Sequence, residues 1–167
     1  CMSTAALCTY PDFYTAAVSS AGNHDNNIYN QWWGETHHGV REVKSFEKKT
    51  VKDSITGKDT TISVEKIKFE TRIPTNIELA KNLKGYLMLV KGDVDNNVHP
   101  ANTLRMADAL LKAGKNFDLV ILPGQAHSFM GIQQAFYQRK MWFHFAKHLL
   151  GDYSSDQFRE IDAYMRL

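Results

Sequence analysis

In the first part of the chain, the pattern of apolar and polar positions predicts a helix, a strand and a loop, in that order. Small and apolar residues predict a helix over residues 2–10, which ends where Pro11 begins a turn. Residues 13–20 then have the composition of a short strand. A polar, Asn-rich stretch over residues 21–30 predicts a loop.

The second half of the chain repeats strands and helices. The pattern predicts a buried strand over residues 85–90, a helix over 100–112, a strand over 117–122 and a helix over 132–150. Strands that are separated by helices indicate βαβ crossovers, so we expect a mostly parallel sheet flanked by helices. The fold class is therefore α/β.

Residues 40–71 interrupt this order with a different composition. Lys, Glu, Asp and Thr dominate there, and the apolar residues are spaced mostly at even intervals around Gly57. This pattern predicts an inserted polar β-hairpin. Its apolar residues are too sparse, and have too many charged neighbours, to face a shared core. Because an isolated two-stranded hairpin is only marginally stable in water, we expect it to protrude and to be mobile or to lie against another subunit or domain.

Composition narrows the classes of partner. The 167 residues are 43% hydrophobic and 23% charged, which suits one compact unit. The net charge of +2 provides no basic field to attract nucleic acid or anionic lipid. The longest apolar run, over residues 85–90, is far below the roughly 20 residues that cross a bilayer. We therefore expect no nucleic-acid partner and no membrane span.

Two loops after predicted strands carry residues with catalytic chemistry. The first, over residues 91–100, contains Asp93 and Asp95, and the second, over 123–129, contains His127. Ligands of open α/β sheets bind where strands end, so polar residues there are candidates for a site. Along the chain an acidic residue is followed by a helix, a strand and then a histidine. In α/β-hydrolases the triad residues occur in the chain order Ser, Asp, His, and these two loops match its second half. In such a triad the imidazole takes the serine proton and the carboxylate orients the imidazole.

Simpler interpretations exist for both loops. An Asp-rich loop before a helix is often only a turn and cap, and a lone His after a strand is often a surface residue. A calcium loop is excluded, because Val98 stands at the position of its turn glycine and Leu104 at that of its bidentate glutamate. The presence of both loops in order favours the catalytic interpretation. We predict no metal ligand and no cofactor.

The serine of a triad has no good candidate in the sequence. The elbow pattern G-x-S-x-G is absent, and Ser20 lies in the nearest string, which lacks the first glycine. The segment over residues 1–10 has instead the character of the helix that follows an elbow. We therefore expect residues 1–167 to be a partial hydrolase domain, truncated just after the elbow, with the nucleophile before position 1.

Four segments of the chain resemble the catalytic domain of the prolyl oligopeptidase family, and its dipeptidyl peptidase IV branch in particular. The resemblance covers nearly the whole chain except residues 40–71, and its most specific element is the D-x-N-V-H string that begins at Asp95. The segments are Met2-Ser3-Thr4-Ala5-Ala6-Leu7, Ala17-Val18-Ser19-Ser20-Ala21-Gly22, Gly92-Asp93-Val94-Asp95-Asn96-Asn97-Val98-His99-Pro100 and Gly124-Gln125-Ala126-His127.

The resemblance implies a role for each matched residue. Asp95 corresponds to the triad acid and His127 to the triad base. Asn97 corresponds to an asparagine that contacts the substrate backbone, and Tyr29, with Trp32 or Trp33 nearby, to aromatic walls around a proline-sized side chain. The C-terminal part of an α/β-hydrolase fold is the architecture that this implies.

The same resemblance implies a function and partners. We expect a serine peptidase that releases dipeptides from short peptides, with this chain inactive alone because the serine lies outside it. The expected partners are the peptide substrate, an upstream hydrolase segment, an N-terminal β-propeller and a second copy in a homodimer, and the resemblance suggests a periplasmic or cell-surface location. A carboxylesterase or lipase, or a non-catalytic assembly module that binds through the 40–71 hairpin, remains the alternative.

Overall fold

The chain forms a parallel sheet with helices and a separate antiparallel hairpin. The computed structural model describes residues 2–52, 54–71 and 73–154, and it divides into two compact units, residues 1–29 with 74–167 and residues 30–73. In chain order the elements are α1 (Met2–Thr9), β1 (Ala16–Ser20), α2 (Gln31–His38), β2 (Arg41–Lys52), β3 (Asp59–Glu70), α3 (Asn76–Leu79), β4 (Tyr86–Gly92), α4 (Ala101–Lys112), β5 (Asp118–Leu122) and α5 (Gly131–Leu150).

The larger unit is built on the three-stranded sheet β1-β4-β5, in which both pairs of strands are parallel. Val90 pairs with Ser20 on one side and with Val120 on the other. The central strand β4 is buried because it has a neighbour on each side and helices against both faces. This confirms the mostly parallel sheet predicted from the alternation of strands and helices.

Alternate residues of β4 contribute to two hydrophobic clusters. Leu87 and Leu89 belong to a cluster with α1 and α4, whereas Met88 and Val90 belong to a cluster that includes side chains of α5. This arrangement follows from the period of two in a strand, which sends successive side chains to opposite faces. The sheet therefore lies between two layers of helix, as an α/β fold requires.

The smaller unit contains the helix α2 and the antiparallel pair β2–β3. The pair runs in continuous register from Arg41 opposite Glu70 to Lys52 opposite Asp59. The predicted hairpin is therefore present, and nearly all its side chains are exposed. Its mobility and its cover by another subunit stay predictions.

Two helices have no counterpart among the predicted elements. Asn30 caps α2 by accepting a hydrogen bond from the Trp33 amide, and α3 begins with a capping box between Thr75 and Glu78. The Thr-x-x-Glu spacing is a sequence feature that indicates such a start. The helix α3 is only four residues long, so its hydrophobic period is too short to detect. Within the described part of the chain, no helix is long and apolar enough to cross a membrane.

Candidate active site

Two loops meet at the end of the sheet where β4 and β5 finish. The strands are parallel neighbours, and Gly92 at the end of β4 pairs with Leu122 at the end of β5. The loop over residues 93–100, here called the acid loop, follows β4, and the loop over 123–130, here called the base loop, follows β5. Parallel pairing therefore brings the two sequence-predicted loops to one edge, as expected for ligand sites of such sheets.

The two loops approach each other through backbone atoms. A Cβ atom on Gly92 would overlap the carbonyl oxygens of Gln125 and Ala126, so this position requires glycine. The Gly124 amide donates a hydrogen bond to Asp93 Oδ1 at 2.6 Å. Asp93, the other carboxylate of the acid loop, thus holds the base loop in place, and its contacts in the described residues do not include His127.

Asp95 and His127 form a hydrogen-bonded pair between the loops. The distance from His127 Nδ1 to Asp95 Oδ2 is 3.0 Å. Asp95 is only 2% exposed, and its Oδ1 accepts hydrogen bonds from the amides of Asn97 at 2.9 Å and Val98 at 3.0 Å. The His127 side chain is 41% exposed. The carboxylate is therefore fixed by its own loop, and the imidazole contacts it through Nδ1 while remaining partly exposed.

Lys91 is a residue of this site that sequence patterns did not identify. It lies on β4 with no exposed surface, and its Nζ donates to Asp95 Oδ2 at 2.5 Å and to the Val98 carbonyl. A fully buried lysine needs a negative partner to offset the cost of losing water, and Asp95 supplies it. The available sequence signal was a lysine directly after an apolar strand, four positions before the candidate acid.

The surroundings of Asp95 hold it in its charged form. Burial alone would raise its pKa, but hydrogen bonds from Lys91, His127, Val98 and Asn97 outweigh burial and lower the pKa to about 2. An ionised carboxylate only accepts hydrogen bonds, so the proton between the two residues belongs to His127 Nδ1. The other ring nitrogen, Nε2, is then the one that can accept a proton.

Two of the predicted substrate-side residues, Tyr29 and Asn97, also meet at this edge. Tyr29 Oη donates a hydrogen bond to Asn97 Oδ1 at 2.7 Å. The loop that carries Tyr29 is held on α4, because Asn102 Oδ1 accepts hydrogen bonds from the amides of His24 at 3.1 Å and Asp25 at 3.0 Å. Tyr29 and Asn97 are therefore positioned together. Trp32 and Trp33 lie on α2 in the smaller unit, where they are 67% and 42% exposed.

His24 is a buried histidine in the loop that leads to Tyr29. This residue is 2% exposed, and its Nδ1 lies 3.2 Å from the side-chain amide nitrogen Nδ2 of Asn76. Burial lowers its pKa to about 3, so the ring is neutral at neutral pH. His24 thus helps to hold this loop in place.

No serine completes the pair within the described residues. Among residues 2–52, 54–71 and 73–154, no serine hydroxyl hydrogen-bonds to His127. Ser20 lies exposed at the end of β1, and the strand is followed by loop rather than by the helix that an elbow requires. In the part of the chain that the structure describes, the Asp95–His127 pair is therefore not accompanied by a serine hydroxyl.

A comparison with protein families decides the classification. Residues 1–153 match the model of the prolyl oligopeptidase family. The chain belongs to that family. Prolyl oligopeptidases have an α/β-hydrolase domain, and the parallel sheet between helices described above is consistent with it. No curated protein matches the chain.

Solved structures of similar fold include two bacterial enzymes. A protein assigned as a dipeptidyl aminopeptidase IV from Bacteroides ovatus is 23% identical with a TM-score of 0.67, and the match covers 89% of this chain and 18% of that one. Dipeptidyl peptidase 4 of Porphyromonas gingivalis is 25% identical with a TM-score of 0.61, and the match covers 85% of this chain and 17% of that one. The chain therefore spans less than a fifth of the length of these two proteins.

Proposed function

We propose that the chain supplies the acid and the base of the Ser-Asp-His triad of a serine peptidase, with Asp95 as the acid and His127 as the base. The observation that carries the proposal is the 3.0 Å contact between His127 Nδ1 and a buried, ionised Asp95. Membership of the prolyl oligopeptidase family supports the reaction class.

In this proposal the carboxylate and each imidazole nitrogen have their own task. His127 Nδ1 donates its hydrogen to Asp95, which leaves Nε2 as the base that takes the proton of a serine hydroxyl and later returns it to the leaving amine. Asp95 stays ionised and stabilises the imidazolium that forms in between. Lys91 acts through Asp95, because it holds the carboxylate in place and keeps it charged, so it is a positioning residue.

The substrate side of the proposal rests on Asn97 and Tyr29. The two side chains meet at 2.7 Å beside the acid loop, where the proposal places the bound peptide. The similarity to a dipeptidyl peptidase 4 and to a protein assigned as a dipeptidyl aminopeptidase IV supports a dipeptide-releasing activity on short peptides.

The nucleophile and the rest of the enzyme are assigned to other parts of the same protein. We propose that the serine lies N-terminal to position 1, on an elbow that α1 follows, and that a β-propeller restricts access to short peptides. Both assignments were predicted from the sequence. They are in line with the finding that this chain covers less than a fifth of each of the two similar proteins. Homodimer formation and a location outside the cytoplasm stay predictions.

Paired substitutions in the intact protein test the acid. Asp95→Asn should reduce turnover of a Gly-Pro or Ala-Pro chromogenic substrate on the order of 10⁴-fold, because an amide favours the wrong imidazole tautomer. Asp93→Asn is the matched control, since Asp93 accepts a hydrogen bond from the Gly124 amide in the neighbouring loop. Its effect should be mild.

The reverse result would show that the acid is misassigned. If Asp93→Asn abolishes turnover while Asp95→Asn retains it, Asp95 does not orient the base. If both variants keep full activity, the pair at 3.0 Å is structural and the proposed mechanism is wrong. Circular dichroism of each variant separates a lost fold from a lost activity.

A further inference from the structure

Three metal-ligand side chains converge where β5 begins and α5 approaches its end. Asp118 is the first residue of β5, and His144 and His148 lie on the second half of α5. One ligand atom from each of the three lies within 4.8 Å of the others. We propose that Asp118, His144 and His148 bind a zinc ion.

The distances suit a metal centre with small adjustment. His144 Nδ1 lies 3.6 Å from Asp118 Oδ2. Ligand atoms around four-coordinate zinc, at bonds of about 2.0–2.1 Å, are separated by about 3.3 Å. The Asp118 side chain is 64% exposed and free to rotate, so it can close the remaining gap without disturbing the core.

The spacing of the histidines orients both rings to one side. Residues at i and i+4 share a face of a helix, and His144 and His148 have this spacing in the 20-residue helix α5. Two histidines at i and i+4 on one helix face are a recurrent half of zinc sites. The third ligand comes from another element, so the metal would join the first residue of β5 to the last two turns of α5.

Tyr86 supplies the contacts that orient histidine ligands. His144 Nε2 lies 3.3 Å from the Tyr86 carbonyl oxygen, which accepts a hydrogen bond and leaves Nδ1 as the coordinating atom. Histidine ligands of metals usually donate their second nitrogen in this way. The Tyr86 ring stacks on His148 at 3.7 Å with an angle of 14°, which holds that ring as well. Tyr86 thus supports both imidazoles.

An ordinary ion pair between His144 and Asp118 explains less of the geometry. Such a pair joins only two of the three side chains, and at 3.6 Å the His144–Asp118 contact is longer than a hydrogen bond. Across residues 2–52, 54–71 and 73–154, His148 also makes no hydrogen bond of its own. Ring contacts with Tyr86 and His144 hold the second imidazole in place, and a shared ligand would give its nitrogen a partner as well.

The donor set favours zinc over harder cations. Two imidazoles and one carboxylate are a known ligand set for zinc with an open fourth position. Calcium and magnesium prefer oxygen ligands and more of them. The fourth position would be taken by water or by a donor from a bound molecule.

Titration of the chain with zinc tests the site. The 167-residue chain, freed of metal with a chelator, is titrated with Zn²⁺ alone in an isothermal calorimeter. We expect saturable binding of one ion, and Asp118→Asn and His148→Ala should each weaken it at least about tenfold. The control is His37→Ala with His38→Ala, a pair at the end of α2, which should leave the affinity unchanged.

Thermal unfolding provides a second readout. A ligand that binds only the folded state raises the unfolding temperature, so Zn²⁺ should stabilise the wild type and the control but not the two ligand variants. Asp118 is exposed and His148 is partly buried, so neither substitution removes a core side chain. The proposal is overturned if the wild type does not bind Zn²⁺, or if both ligand variants bind it as tightly as the wild type, as they would for an ion held at Asp95 and His127. Equal weakening in the control pair would overturn it too.

Discussion

Replacement of Lys91 by methionine should destabilise the fold strongly and raise the pKa of Asp95. Methionine fills a similar volume without charge, so the Asp95 carboxylate would stay buried without its cationic partner. Removal of one partner from a buried ion pair typically costs about 3–5 kcal/mol. For a domain of this size that corresponds to a fall in unfolding temperature of about 6–20 °C.

The pH dependence gives a second and more specific magnitude. The pKa of Asp95 is about 2 in the folded chain against an ordinary value of 3.8, so its ionised form contributes about 2 kcal/mol above pH 4. Because the folded pKa is the lower one, this contribution is lost as the pH falls from about 4 to about 2. Without Lys91 the pKa of Asp95 rises, and this acid-dependent loss of stability should shrink or disappear.

Two measurements check these expectations. Urea unfolding of the 167-residue chain at pH 7 and at pH 3 gives the free energies, and the carboxyl ¹³C shift of Asp95 gives its pKa directly. The control is Lys112→Met, which removes a lysine at the same i,i+4 spacing from an exposed Asp108. That change should stay within about 1 kcal/mol. An unchanged pKa of Asp95 and an unchanged midpoint in Lys91→Met would refute the reasoning.

Three further expectations concern activity, loop geometry and pH. The 167-residue chain should not turn over Gly-Pro or Ala-Pro chromogenic substrates, and turnover that survives repurification but disappears in Ser20→Ala would identify a nucleophile within the chain. Gly92→Ala should lower the unfolding temperature, because the added Cβ would meet two carbonyl oxygens. The control Gly34→Ala, whose Cβ would make ordinary 3.7 Å contacts, should be neutral or stabilising. Equal effects of the two substitutions would argue against a close approach at Gly92. Stability should decrease as pH falls from 6.5 towards 3, because His24 stays neutral when folded but is protonated when unfolded, and His24→Gln should weaken that slope in urea titrations.

The sheet was predictable from sequence because its strands and helices are long enough to show their periods. The strand predicted over residues 85–90 is β4, which the structure extends to Gly92. The strand predicted from residue 13 begins instead at Ala16, because residues 11–13 form a turn after α1. The helix α2 escaped prediction because it has only eight residues with Gly34 in their middle, and sequence alone does not show that Asn30 caps it.

Part of the candidate site was also predictable, and part required the fold. Asp95 and His127 follow neighbouring strands, so the order of loops in the sequence was enough to pair them. Lys91 was not recognisable, because a lysine at the end of a strand is normally solvated and only the structure shows that β4 is covered there. The proposed zinc site combines two histidines of α5 with Asp118 of β5, and no sequence spacing indicates that these two elements meet.

The backbone contacts between the acid loop and the base loop affect how the family can diversify. The Val94 amide donates to the Gln125 carbonyl at 3.2 Å, and any residue except proline at position 94 can make this bond. The exposed side chains of these loops, such as Val94 and Ala126, are therefore free to mutate while the spacing between Asp95 and His127 is conserved. Side chains on the rim of this site can therefore change without first rebuilding the hydrogen-bonded pair of Asp95 and His127.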